Sequence, residues 1–223
     1  MGTAIGDVLP LALGVAISPI PIIAVILMLL SPKAHTNGPA FLIGWVAGLA
    51  AVGTAVTALY GTAGQGSGGG GSAAGSLIKV LVGFLLIGLS IRAFRNRPGP
   101  GQQPQLPGWM RAIDSITSLK ALGIALLLSA LNPKNLSLTV AAALTVAQEG
   151  LSAVGAVSVL ALFVVLASLG IAVPVALYFL GGASAARALN DLRAWLNANN
   201  ATVVAVLLLV IGVVLFGKGL GDL

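Results

Sequence analysis

Val8–Leu30 runs for 23 positions without a charged side chain, and Ala40–Tyr60 does so for 21. Each run matches the roughly 20 helical residues that cross a hydrocarbon layer about 30 Å thick. Four further segments have the same character. Leu77–Phe94 is charged only near its ends, at Lys79 and Arg92, and Ala121–Ala147 holds one charge, Lys134. Leu151–Ala186 has none and carries Pro174, where a kink is expected; Ala201–Gly217 extends to Gly221 if Lys218 snorkels. Only 7% of the 223 residues are charged, against about 25% in soluble domains. A water-facing globular surface cannot be assembled from so few charges. The expected fold class is an all-α polytopic membrane protein with six transmembrane helices.

Charge placement predicts the orientation. Successive connections alternate sides, which puts Lys33, Arg92, Arg95, Arg97, Arg111, Lys120, Arg187 and Arg193 on one face. The other face receives only Lys79 and Lys218. Basic residues collect on the cytoplasmic side, so both termini are expected outside the cytoplasm, in a multi-pass plasma-membrane protein. The net charge of +6 is then a topology signal, and no nucleic-acid partner is expected. A signal peptide is not expected, because the first apolar run is too long and lacks a basic leader.

The connections differ in kind. Residues 61–76 are almost all Gly, Ser and Ala, a flexible tether whose core, 66–72, reads equally as a natural or an engineered linker. The stretch 95–107 is rich in Pro, Gly and Gln and reads as extended. Trp109–Asp114 suits a short interfacial helix, and Ala183–Asn199, with Arg187, Asp191, Arg193 and Trp195, suits a second. Ser115 or Ser118 is the expected N-cap of the fourth span. Gly44 and Gly48, and Gly83 and Gly88, read as small-residue pairs for close helix packing.

Two matched interruptions relate the halves. Ser18-Pro19-Ile20-Pro21 lies mid-way through the first span, and Asn132-Pro133-Lys134-Asn135 lies mid-way through the fourth, 114 residues later. Proline removes a backbone donor and clashes with the carbonyl four residues back, so both spans should break at mid-depth. Three spans per half force opposite orientations. Broken helices in inverted repeats are a pointer to a transporter's binding site. The expected organisation is residues 1–94 as one three-helix repeat, 95–120 as a cytoplasmic linker and 121–223 as the second repeat.

Lys134 is the chemically distinctive residue. It lies 13 residues from either end of its span, and a basic group at that depth costs about 2.5–3.5 kcal/mol on insertion scales. No acidic residue lies mid-span to pair with it. Two readings are open: a structural lysine hydrogen-bonded to carbonyls at the opposite break, or a ligand for an anionic headgroup or carboxylate. On the second, Ser18, Pro19, Pro21, Asn132, Pro133, Lys134 and Asn135 form the substrate site. Lys33, His35, Asp114 and Lys120 are candidates for gating or coupling. The missing carboxylates disfavour metal transport. No cysteine, nucleophile–base pair or phosphate-cradling motif is present, so neither an enzyme nor a cofactor is expected.

The first half, from Ala16 through Ser18-Pro19-Ile20-Pro21 to Leu29 and on through Asn37-Gly38-Pro39 to Trp45, resembles the peptidoglycolipid- or sulfolipid-addressing (GAP) proteins of actinobacteria. So does the second, through Pro107-Gly108-Trp109-Met110, Lys120-Ala121-Leu122-Gly123 and Ala130-Leu131-Asn132-Pro133-Lys134-Asn135-Leu136. More distantly, the two Pro-containing elements are similar to the LysE exporter superfamily, although Ile20 stands where those proteins often have glycine. The resemblance implies six spans in two inverted repeats and movement of a lipid or glycolipid toward the cell surface. Implied partners are that lipid, other lipid-export proteins and, through small-residue faces, a second copy of the chain. The alternatives are an exporter of a small polar solute such as an amino acid, and a non-transporting scaffold of a lipid-export complex.

Overall fold

The computed structural model describes residues 1–64, 73–95 and 116–221. The tether core at 66–72, the stretch 96–107, the Trp109–Asp114 helix and Asp114 itself lie outside the described residues. All regular structure among those described is helical, in the order α1 (Gly2–Ala16), α2 (Pro19–Leu29), α3 (Ala34–Gly64), α4 (Ala73–Arg95), α5 (Ser118–Ala130), α6 (Pro133–Gln148), α7 (Ala153–Leu180) and α8 (Gly182–Gly221). Four of these, α3, α4, α7 and α8, are individually long and apolar enough to cross a membrane. The pairs α1–α2 and α5–α6 pass the same test only when joined, which gives up to six spans.

Each joined pair is sharply bent, by 52° between α1 and α2 and by 63° between α5 and α6. Proline is the cause. A residue before proline is pushed out of the helical region, and Ser18 (φ −110°, ψ 97°) and Asn132 (φ −66°, ψ 121°) are both extended. Pro19 and Pro133 then occupy the first position of the next helix, where a missing N–H is tolerated.

Two expectations about element boundaries are corrected. Helix α7 ends at Leu180, inside the uncharged run Leu151–Ala186, where Gly182 adopts a left-handed φ of 54° that glycine accommodates without strain. The helix expected over Ala183–Asn199 forms, but it is not separate from the last span. No glycine or proline interrupts residues 183–211, so α8 runs unbroken for 40 residues, about 60 Å at 1.5 Å per residue. The cap of α5 is Thr117, whose hydroxyl accepts from the Lys120 amide at 3.5 Å, rather than Ser118. Helix α7 also continues through Pro174 as one element.

Lipid offers no hydrophobic drive for helix association, so membrane helices rely on close packing at small residues. Helices α4 and α8 do this along their length. A β-carbon on Gly83 would stand 2.6 Å from the Phe216 nitrogen, and one on Gly219 would stand 2.7 Å from the Val80 nitrogen. The Ser90 hydroxyl donates to the Ala205 carbonyl at 2.7 Å across the same seam. Gly44 and Gly48 press on the α5 backbone at Leu122 and Leu126. Gly88 faces open space and takes no part in packing. Trp45, Phe41, Phe163, Ile23 and Ile26 fill the centre, while Phe84, Val154 and Leu59 point outward, as a lipid-solvated surface requires.

The contacts pair the halves. Helix α5 packs on α3 as α1 packs on α7; α6 packs on α3 and α4 as α2 packs on α7 and α8. One end of the bundle gathers Met1, Glu149, Ser76 and Lys218, and the other gathers His35, Tyr178, Asn37 and Ile116.

Candidate functional site

The two breaks meet. Proline costs the first span the donors that Val15 and Ile17 carbonyls would use, since Pro19 and Pro21 stand four residues beyond them. Ser18 leaves the helix and its amide no longer closes on Gly14. Carbonyls stranded in an apolar interior cost free energy comparable to a lost hydrogen bond. Lys134 supplies replacement donors: its Nζ donates to the Gly14 carbonyl at 2.6 Å and the Ile17 carbonyl at 3.4 Å. The side chain is 7% exposed.

The second break is repaired in the same way from within. Asn135 Nδ2 donates to the Leu128 carbonyl at 3.1 Å. Leu128 stands four residues before Asn132, as Gly14 stands four before Ser18, so equivalent carbonyls are taken up by adjacent residues of one Asn-Pro-Lys-Asn element. Asn132 Oδ1 accepts from the Lys134 amide at 3.0 Å and caps α6. The tie between breaks closes with Ser18 Oγ, which donates to Asn135 Oδ1 at 3.1 Å. Ser18, Lys134 and Asn135 are all buried. Further along α6, Ser137 and Thr139 hydroxyls donate to the Pro133 and Asn135 carbonyls, leaving the buried face of a polar helix satisfied.

Of the residues singled out from sequence, Ser18, Pro19, Pro21, Asn132, Pro133, Lys134 and Asn135 therefore converge at one place. Lys33, His35 and Lys120 do not join them. Lys33 is exposed in the turn before α3, and Lys120 lies in the first turn of α5, about 18 Å along the axis from Asn132. His35 sits in the first turn of α3 with edge-on contacts to Tyr178 and Phe179, 5.4 Å between centroids.

Sequence reasoning missed Gly170. A β-carbon there would fall on the Ala16 carbonyl oxygen, so its glycine lets α7 lie directly against the first break. Its signal, one glycine in an apolar run, is too common to single out. Also missed was a polar pocket of about 390 Å³ at the Met1 end, lined by Asp7, Lys79, Thr145, Gln148, Glu149 and Lys218.

The fold and this junction define a polytopic helical membrane protein organised around two broken helices tied at their breaks. Within that class the chain belongs to the Sap, sulfolipid-1-addressing protein family, whose family model matches residues 8–221. No curated protein and no solved structure matches it.

Proposed function

We propose that this protein is a lipid transporter that moves a lipid or glycolipid with an anionic headgroup from the cytoplasmic leaflet toward the cell surface. The observation that carries the reading is the Lys134 tie, in which a buried basic side chain is held by main-chain carbonyls of the opposing break. Carbonyl dipoles satisfy hydrogen bonds without neutralising a charge. An oxyanion does both, and charge-assisted bonds are roughly twice as strong as neutral ones. A headgroup oxyanion that reaches the junction displaces Gly14 and Ile17 from Lys134 and frees α1 from α6. The N-termini of α2 and α6, which begin at the same depth, add partial positive charge.

Release of that tie lets the two bent spans rearrange about Ser18 and Asn132, with the acyl chains remaining in the bilayer. The paired contacts between halves favour an inverted repeat, which gives such a rearrangement two equivalent end states. The basic residues at the Lys33 and Arg92 end favour a cytoplasmic position for that end, with both termini outside. The family's name, sulfolipid-1-addressing protein, accords with an anionic cargo. The chain is read as neither an enzyme nor cofactor-dependent.

The test is export. In cells whose only copy is Lys134→Ala, extractable surface lipid of the exported class should fall to the level of cells lacking the gene, with membrane levels of the protein unchanged. Full export by Lys134→Ala at normal protein level overturns the assignment and leaves a scaffold role. Loss of amino-acid efflux with surface lipid intact also overturns it, in favour of a small-solute exporter.

A further inference from the structure

Below the polar pocket at the N-terminal end of the bundle, α1 and α8 are not packed solid. Two carboxylates, Asp7 and Glu149, and two lysines, Lys79 and Lys218, share the rim of that pocket of about 390 Å³. Its charges balance, so it offers a passing headgroup polar surroundings without a group to hold it. A narrow apolar cleft of about 40 Å³ leads inward from it, sharing Asp7, Lys79, Thr145 and Lys218 and reaching Leu11 on α1 and Ile211 and Leu215 on α8. Those three apolar residues are buried. Val210 and Val214, on the lipid side of the cleft, are about half exposed, so acyl chains can stay in the bilayer beside it. From Asp7 to Gly14 the path along α1 is about 10 Å at 1.5 Å per residue. Gly14 is the residue whose carbonyl accepts from Lys134 Nζ at 2.6 Å. The cleft therefore runs from the outer mouth toward the junction of the two breaks, and stops one turn short of it.

Ile211 closes the remaining gap. A β-carbon on Gly14 would collide with the tip of the Ile211 side chain and stand 3.0 Å from Leu138 Cδ1, so the bare glycine is the seat on which Ile211 rests. Gly14 then joins two contacts in one residue: its carbonyl holds Lys134 of α6, and its α-carbon supports Ile211 of α8. A movement of α1 that breaks one disturbs the other. Helix α1 has the freedom for such a movement. It ends at the extended Ser18, and Pro10 within it denies the Gly6 carbonyl its intrahelical donor. Its outer turns are tied to α6 and α8 by the exposed Thr3–Glu149 hydrogen bond and by the Lys218–Asp7 pair, and exposed ion pairs hold little.

We propose that the cleft between α1 and α8 is the route by which the headgroup leaves the Lys134 junction, and that Ile211 is its plug. When the headgroup takes Lys134 from the Gly14 carbonyl, α1 moves off α8 and Ile211 leaves its seat. The inference rests on the export reading for what passes through, but the opening it asserts is measurable with no lipid moving.

The chain has no cysteine, so one introduced thiol reports the opening. Leu11→Cys is made in the full chain, purified in neutral maltoside micelles, and its rate of reaction with a water-soluble sulfonated methanethiosulfonate is measured. Labelling should be slow in Leu11→Cys alone. Adding Ile211→Ala should speed it about tenfold or more, the scale by which truncating a buried isoleucine shifts a packing equilibrium. Adding Lys134→Ala, which removes the hydrogen bond to Gly14, should speed it too. Leu209→Ala, a similar truncation on the exposed side of α8, should leave it unchanged. Leu49→Cys, in the core on α3, should stay unlabelled with Ile211→Ala, which separates an opened cleft from an unfolded protein. Labelling of Leu11→Cys that Ile211→Ala does not change, or that Leu209→Ala raises equally, overturns the plug. Leu49→Cys reacting as fast as Leu11→Cys overturns the route. Acceleration by Ile211→Ala but not by Lys134→Ala overturns the coupling through Gly14. Acceleration by both, in a Lys134→Ala protein that still exports lipid, fails the headgroup reading of Lys134 and leaves the plugged cleft standing.

Discussion

Replacing Gly83 with alanine should weaken the protein, whereas the same change at Gly88, five residues along the same helix, should strengthen it. On α4 a β-carbon at Gly83 would stand 2.6 Å from the Phe216 nitrogen and 2.8 Å from the Gly212 carbonyl oxygen. Both are backbone atoms of α8 and cannot swing aside as a side chain can. Restoring an ordinary contact of 3.4 Å moves α8 outward by about 0.8 Å. A gap of that size forfeits roughly a quarter to a half of the attraction at every atom pair it opens, and overpacking of this kind costs about 1–3 kcal/mol. Against this, alanine gains about 0.5–1 kcal/mol over glycine inside a helix. A β-carbon at Gly88 meets nothing within 4 Å, so Gly88→Ala keeps only the gain. The helix-propensity contribution cancels between the two variants. Their difference, about 1–3 kcal/mol, isolates the packing. Reversible unfolding in maltoside and dodecyl sulfate mixed micelles, followed by far-ultraviolet circular dichroism, reads it directly. Equal midpoints for Gly83→Ala and Gly88→Ala would refute backbone-on-backbone packing of α4 and α8.

Four further outcomes are expected in the same assay. Ser18→Ala leaves the buried Asn135 Oδ1 without its donor and should cost about 1–3 kcal/mol. Asn135→Leu strands the Leu128 carbonyl and the Ser18 hydroxyl together, so it should cost more than Ser18→Ala; a smaller effect would contradict the tie. Gly170→Ala forces α7 off the Ala16 carbonyl and should destabilise at least as much as Gly83→Ala, with a wild-type midpoint counting against the close approach. Asp7→Asn removes an ion pair whose side chains are 42% and 36% exposed, and such pairs contribute about 0–1 kcal/mol. It should barely move the midpoint, so a large loss would mean that the pair clamps α1 to α8.

Much of the architecture was legible because the membrane simplifies the problem. Uncharged runs of spanning length mark the helices, and the Ser-Pro and Asn-Pro steps mark their breaks through the missing N–H of proline. Those same steps announced the junction, since each is an N-cap followed by proline at the first helical position. What Lys134 touches was not legible. Sequence distinguishes a charge at mid-depth from one at a span end, but not whether its partner is a carbonyl 120 residues away or a ligand. The union of Ala183–Asn199 with the last span was missed because amphipathic composition suggested a separate surface helix, while the absence of any breaker before Gly212 was the stronger signal. Gly83 and Gly88 looked alike in sequence, and only the position of α8 separates the one that packs from the one that does not. The convergence of Asp7, Lys79, Glu149 and Lys218 joins residues from four parts of the chain, which no local spacing encodes.

The central claim is that Lys134 at the junction of the two broken spans binds the headgroup of an exported lipid. Its most direct measurement is native mass spectrometry of gently purified wild-type and Lys134→Ala protein, with the co-purified lipids extracted and identified. The account predicts that the wild-type protein retains one anionic lipid or glycolipid class in excess of its abundance in the membrane, and that Lys134→Ala loses it while remaining folded. Bulk phospholipid alone, retained equally by both proteins, would contradict it.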